Sequence, residues 1–342
     1  MAFEAKDGRD WLTTVIPLHA RLSVALGTLV ENIIKTNEIE YLSISARTKT
    51  IDGALEKIRR KDYDDPQSQL TDLSGVRIVT YLEEHATQIS NLIKGLFEID
   101  EANSHDRSAD LGEDKIGYRS THFVCTLGTQ RGTLPEYNEL GELKFEVQIR
   151  TVLQHAWAEL AHDRSFKFGA ALPTKIQRKL NLYSGLLEIV DGAFDEIARE
   201  ISDYKAKIDR KSIKQISTTE INSFSLGRFL SELSNQTDIT IADNIKPEII
   251  EELRSYGLTN IGDVEALATP DFKNTFRKSG GTTSYGMLRH LMIYQDIDRY
   301  FKLGRKFGAI DQRIVEILET KYTNGEVQKW LKKLDIRPMH VG

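Results

Sequence analysis

The chain has one cysteine in 342 residues, Cys125. A single thiol excludes an intramolecular disulfide and a cysteine-rich zinc site. It falls in the apolar run Phe123-Val-Cys-Thr-Leu127 and reads as a small core residue. No unbroken apolar run approaches the length of a membrane span, and the opening Met1-Ala-Phe-Glu-Ala-Lys-Asp7 lacks the apolar segment of a signal peptide. A cytoplasmic protein without a membrane partner is the expectation. Neither sign of charge dominates: 46 basic against 51 acidic residues give a net charge of −5. That balance excludes a surface that binds nucleic acid or membrane along its whole extent, so any basic site must be local. Long repeats and low-complexity tracts are also missing. What remains is an ordinary globular composition, long enough for about two domains.

Periodicity predicts an α/β chain followed by helices. Leu22, Ala25, Leu26, Leu29 and Ile33 mark an amphipathic helix over Arg9–Ile34, which Pro17 is expected to kink or split. Ile51–Arg60 reads as a short helix. Val76–Leu82, Phe97–Asp100, Arg119–Leu127 and Leu143–Arg150 read as strands. His85–Phe97 and Thr151–Arg164 read as helices, and Asn103–Gly117 as a polar loop. This order implies a layered α/β fold around one sheet. A long helix follows over Thr174–Lys211. The cations of Lys205–Lys214 and the polar run Ser217-Thr-Thr-Glu220 mark a boundary. The chain thus divides into an N-terminal helical segment (1–40), an α/β domain with a trailing helix (41–215) and an all-helical C-terminal region (220–342).

The stretch Lys144-Phe-Glu-Val-Gln-Ile-Arg150 alternates without a fault. Phe145, Val147 and Ile149 fall on one side of a strand, and Lys144, Glu146, Gln148 and Arg150 on the other. Pattern alone leaves that polar row either facing solvent or flooring a site for phosphate and metal. Other segments favour a site. Arg47-Thr-Lys-Thr50 with Lys57, Arg59, Arg60 and Lys61 can cradle a polyphosphate, or can be a solvated helix face. Asp72-Leu-Ser-Gly75-Val-Arg77 puts a carboxylate just before a strand, where it can reach a metal or simply end a turn. Lys115-Ile-Gly-Tyr-Arg-Ser-Thr-His122 places Tyr118 at the mouth of a strand. An exposed Tyr there can stack on a base for about 1–3 kcal/mol. His155, Glu159 and His162 share a helix face, but the spacing is not His-Glu-x-x-His and zinc is not expected.

In this order the motifs resemble the synthetase domain of the RelA/SpoT family, the alarmone (guanosine penta- and tetraphosphate) synthetases, over about Tyr41 to Phe168. Leu153-Gln-His-Ala-Trp-Ala-Glu-Leu160 followed by His162-Asp163 is similar to the single-synthetase branch, and the family's hydrolase half has no counterpart. The resemblance implies a nucleotidyltransferase-like mixed sheet flanked by helices. It implies transfer of the β,γ-diphosphate of ATP to the 3′-hydroxyl of GDP or GTP, with release of AMP. Arg47 and Arg77 would sandwich adenine, and Lys49, Lys57 and Arg60 would hold the ATP phosphates. Asp72 and Glu146 would bind Mg²⁺, with Glu146 also accepting the 3′-OH proton. Tyr118 would stack on guanine. Arg107, Lys115, Arg119 and His122 would meet the acceptor's phosphates or the transferred group, with Gln148 and His155 near the guanosine. Gly53 departs from the family's frequent Ser and removes one hydroxyl from the donor site.

The C-terminal region is less legible. Leu253-Arg-Ser-Tyr-Gly-Leu-Thr-Asn-Ile-Gly-Asp-Val264 resembles a helix-hairpin-helix turn, a device that can bind nucleic-acid backbone. A helical module that binds protein or RNA, or regulates, is the expectation, and a homo-oligomer is compatible with the family. Two other functions stay open. One is a toxic relative with the same ATP donor acting on adenosine nucleotides or the tRNA 3′ end. The other is a non-catalytic nucleotide sensor, against which intact Asp72 and Glu146 argue.

Overall fold

A computed structural model describes residues 5–106, 120–162, 173–242, 245–277, 281–304, 309–333 and 336–339. The chain forms two compact units, Met1–Arg199 and Glu200–Gly342.

In the first unit, helix α1 (Ala5–Thr36) is followed by β1 (Ser43–Thr48), α2 (Ile51–Lys61), β2 (Ser74–Thr80), α3 (Glu83–Leu96), β3 (Glu98–Ile99) and β4 (His105–Asp106). Then come β5 (Thr121–Thr126), β6 (Phe145–Thr151), α4 (Val152–His162) and α5 (Thr174–Asp209), within which the division between the units falls. The six strands form one mixed sheet in the order β1-β2-β6-β5-β3, with β4 also on β5. Only β2 and β6 run parallel; the other pairs are antiparallel.

Period 2 decides what each face holds. Val76, Ile78, Phe123, Cys125, Phe145, Val147 and Ile149 point to one side. There they form a core with Leu22, Leu26, Val30 and Ile34 of α1 and Ile89 and Ile93 of α3. Cys125 is fully buried, as a core thiol should be, and burial pushes its pKa to about 12. A second cluster joins Leu12 of α1 to Ala54 and Leu55 of α2 and to Leu70 and Leu73. Register then aligns the polar residues of the other face: Arg47 lies opposite Gly75, Gly75 opposite Glu146, and Arg77 opposite Gln148, which faces His122.

Several expectations need correction. Helix α1 continues through Pro17 without splitting. Its stretch Gly8–Thr36 is, by length and average composition, apolar enough to cross a membrane, although polar residues interrupt every apolar run. Its apolar stripe is nevertheless committed to the sheet's core. Strand β1 was not anticipated. Only Ile44 and Ala46 carry its apolar face, and Ala46 fits because Gly27 leaves room: a Cβ there would lie 3.3 Å away. Strand β4 falls within the stretch read as a polar loop.

The second unit is helical, as expected, around its own core. It adds two short parallel ladders that the sequence does not signal, β7 (Ile241–Ala242) with β8 (Thr282–Thr283), and β9 (Ala309–Asp311) with β10 (Arg337–Met339). Both are too short to show a period. The helix-hairpin-helix-like stretch does form two helices, Pro247–Ser255 and Ile261–Leu267, with Gly257 at φ 94° between them. Its amides are already spent. Gly257 and Leu258 donate to Arg254 and Leu253, Thr259 and Asn260 to the Asp263 carboxylate, and Ile261 and Gly262 to Thr219 and Ser217. The turn therefore has no amide left over for a phosphate.

Candidate active site

The site is built on the polar face of the sheet, where β1, β2 and β6 meet. Ser45, Arg47, Asp72, Gly75, Arg77, Glu146 and Gln148 line a small cavity of about 70 Å³. This face is not a solvent face: Gln148 and Arg150 are buried and Glu146 is nearly so. Burying such groups is costly unless each finds a partner, and each does.

Glu146 takes a hydrogen bond on each oxygen. His122 Nδ1 donates to Oε1 at 2.8 Å and Gln148 Nε2 to Oε2 at 2.7 Å. Burial alone would raise its pKa. The His122 bond and charge, the Gln148 bond and the Lys57 ammonium outweigh that and hold it at about 2. Gln148 accepts from Arg77 Nε at 3.4 Å, and Arg77 Nη1 donates to Glu159 at 2.8 Å. On the far side of His122, Arg150 Nη2 approaches Nε2 at 3.5 Å.

Asp72 sits at the entrance to β2. Lys49 and Lys57 both donate to its Oδ2 at 2.8 Å. Burial opposes its ionisation, but the two lysine bonds and charges overcome this and lower its pKa. Lys57 is placed by α2, whose first turn Thr50 caps by accepting from the Gly53 amide. Asp72 Oδ1 is buried and has no hydrogen-bond partner. A buried anionic oxygen without a donor is the kind of atom a hard cation completes. The donor set fits Mg²⁺: two carboxylates that leave the remaining positions to water and substrate phosphate. No group of three or more metal-ligating side chains occurs among the described residues, so the protein would hold the ion only in part.

The structure thus gathers Arg47, Lys49, Lys57, Asp72, Arg77, His122, Glu146 and Gln148 around one cluster. It does not gather all the expected residues. Arg60 is exposed in the last turn of α2 and makes no polar contact with the cluster. His155 Nδ1 lies 3.6 Å from Glu159, too far for a hydrogen bond. Arg107, Lys115, Tyr118 and Arg119 lie outside the described residues. Lys144, on the same strand face, pairs with Asp100 at 2.7 Å and stays out of the cluster.

Two contributors escaped the sequence reading. Glu159 anchors Arg77; its place one turn after His155 was visible, but not that Arg77 would reach it. Ser45 enters through β1, opposite Arg77 in register, and was missed with that strand.

Part of this chain is similar to known proteins. Residues 46–171 match the family model of the region found in RelA / SpoT proteins. The chain is 25% identical over 212 residues to GTP pyrophosphokinase YjbM of Bacillus subtilis, covering 60% of this chain and 96% of that protein. It is 23% identical over 169 residues to GTP pyrophosphokinase YwaC of the same organism, covering 48% and 76%. Among solved structures, small alarmone synthetase 1 from Bacillus subtilis aligns with 22% identity and a TM-score of 0.46, over 57% of this chain and 98% of that one. The chain therefore contains a RelA/SpoT region, and the cluster described above lies within it.

Proposed function

We propose that this chain is an alarmone synthetase. It transfers the β,γ-diphosphate of ATP to the 3′-hydroxyl of GDP or GTP, giving ppGpp or pppGpp and AMP. The cytoplasm is the proposed setting. The observation that carries the reading is the pairing of Glu146, ionised and held by two donors, with Asp72 and its orphaned oxygen, inside a RelA/SpoT region.

The roles belong to the same proposal, and the clustering of these side chains supports them. Transfer forms a bond from the acceptor's 3′-oxygen to the β-phosphorus and breaks the bond between the β-phosphorus and the oxygen bridging it to the α-phosphorus. AMP leaves, and the 3′-hydroxyl proton passes to Glu146. Such a reaction asks little covalent work of the protein; it needs in-line placement and compensation of charge. Lys49 and Lys57, which now share Asp72, supply the positive charge that meets the triphosphate. Arg47 and Arg77 flank the cavity where the donor's base enters. Glu146 is a weak base when free, so it takes the proton as the new bond forms rather than before. His122 and Gln148 keep its carboxylate in one orientation. Bound Mg²⁺ would supply charge neutralisation at the phosphates and at the attacking oxygen.

Labelled ATP offered in parallel to GDP, GTP, ATP and tRNA tests the assignment. Label transferred to GDP or GTP is the expected result; transfer to adenine nucleotides or tRNA instead would replace this reading with the toxic-relative one. Of the two features that motivate an RNA acceptor, the Gly257 turn and the basic linker at Lys205–Lys214, the turn has its amides consumed internally. Nucleotide binding without turnover would favour the sensor.

A further inference from the structure

Strand β6 ends at Thr151, which falls on the same face as Phe145, Val147 and Ile149, and a second acidic group waits there that the proposed reaction does not use. Thr151 is fully buried. Its hydroxyl accepts from the Gln154 amide at 3.1 Å, while the Gln154 side chain accepts from the Thr151 amide at 3.0 Å. This reciprocal pair is a capping box that fixes how α4 leaves the strand. The same hydroxyl donates to Asp191 Oδ2 of α5 at 2.7 Å. One turn further along α5, Asp195 accepts from the amides of Glu83 and Glu84 at 3.1 and 3.2 Å. Those are the first two residues of α3, whose own N-cap, Leu82, has no side-chain bond to offer. Two carboxylates of one helix therefore hold the starts of two others.

Little else holds α5 there. Up to Arg199, Ser184, Gly185 and Asp191 are its buried residues. Leu182, Leu186, Ile189 and Phe194 stay half or more exposed, so apolar burial contributes little to its seating.

We propose that α5 is a strap, latched by Asp191 on Thr151 and by Asp195 on α3, and that Asp191 is a positioning residue for the catalytic face. When the strap is seated, the corner between β6 and α4 is fixed. That corner sets where Glu159 stands, and Glu159 holds Arg77 against Gln148. Release of the strap loosens the corner and with it the Arg77 anchor. The link to catalysis rests on the function proposed above; the seating does not.

The latch is also sensitive to protons. Burial raises the Asp191 pKa to about 6 against the favourable Thr151 bond, and the charged groups acting on it, Glu83 of α3 and Asp195 of α5, are both acidic and raise it further. An unseated Asp191 returns to the ordinary carboxylate range. The seat is therefore strongest below that range and weakens as pH rises through about 6.

Hydrogen exchange on the full chain tests this, with opening constants corrected for intrinsic exchange. The reporters are the amides of Glu83, Glu84 and Gln154. In the wild type their opening constants should rise on the order of tenfold between about pH 5 and about pH 7. Asp191→Asn, which keeps an acceptor but cannot ionise, should remove the rise. Thr151→Val should open Gln154 at every pH, and Thr151→Ser should restore it. A flat wild-type profile, or an unchanged rise in Asp191→Asn, overturns the latch. Opening as expected with a kcat for AMP release that does not follow it overturns the positioning role. A chain that releases no AMP at all overturns the proposed function and leaves the exchange test of the strap in force.

Discussion

Near the start of β6, Glu146 is buried among donors; at its end, Thr151 meets Asp191, buried among acids. Four residues of one strand separate Glu146 from Thr151, and the fold gives the two carboxylates opposite tendencies. His122, Gln148 and Lys57 hold Glu146 at about 2, whereas Asp191 is raised to about 6 with one hydroxyl in its favour. Burial penalises charge at both. What differs is the compensation within reach, and that follows from register. Strand β5 brings His122 to Glu146, β6 itself supplies Gln148 and α2 supplies Lys57, while α3 and α5 bring Glu83 and Asp195 to Asp191. One carboxylate is kept as a permanent anion for chemistry. The other is kept close to the point where it gives its charge up.

The strongest way to break this contrast is Glu146→Gln. It keeps the shape and loses the charge, and should lower kcat for AMP release by about 10²–10⁴-fold, the usual worth of a positioned base. A near-native far-ultraviolet spectrum would assign that loss to chemistry. Asp72→Asn comes next. It leaves Lys49 and Lys57 facing a neutral amide and removes the orphaned oxygen's charge. Steady-state rates should fall on the order of 10²-fold, as when one electrostatic group is taken from a transferring centre. A titration of Mg²⁺ should show saturation at higher concentration in the same variant.

At the other end of the strand the sign reverses. Asp191→Asn should stabilise the protein where the wild type carries a buried charge, by about 1–2 kcal/mol above pH 7. Calorimetry should show Tm raised by a few degrees there and unchanged near pH 4, where the native carboxyl is already neutral. A loss of stability at high pH would mean that Thr151 compensates the charge fully. The smallest effect is expected at Gly75. A Cβ there would sit 3.5 Å from the Glu146 carbonyl oxygen, an ordinary contact. Gly75→Ala should leave stability within about 0.5 kcal/mol. A large loss in denaturant titration would show that close backbone approach at that point is required after all.

The same contrast explains what was legible in the sequence. Glu146 and its partners were readable because period 2 assigns faces, and because motifs spaced along the chain converge once four strands are aligned. The strand β1 was not, since Ser43–Thr48 has only two small or medium apolar side chains to mark its inner face. Its absence hid Ser45. Pattern alone leaves Arg150 between a surface charge and part of a site; the structure buries it beside His122, which no local pattern announces. Asp191 was invisible for a related reason. In sequence it is one acid among several on a long amphipathic helix, and only the return of α5 to the end of β6 turns it into a buried partner of Thr151. Helix Pro247–Ser255 and its successor were legible as a pair, but a turn's function depends on whether its amides are free, and their acceptors at Ser217, Thr219 and Asp263 come from packing.

The central claim is that the Asp72–Glu146 face moves an intact diphosphate. Product analysis by phosphorus NMR after incubation with ATP, GDP and Mg²⁺ tests it most directly. The expected result is one AMP for each guanosine nucleotide that gains a diphosphate at its 3′ position, abolished in Glu146→Gln. ADP with free phosphate, or AMP with free pyrophosphate and an unmodified guanosine nucleotide, would contradict it.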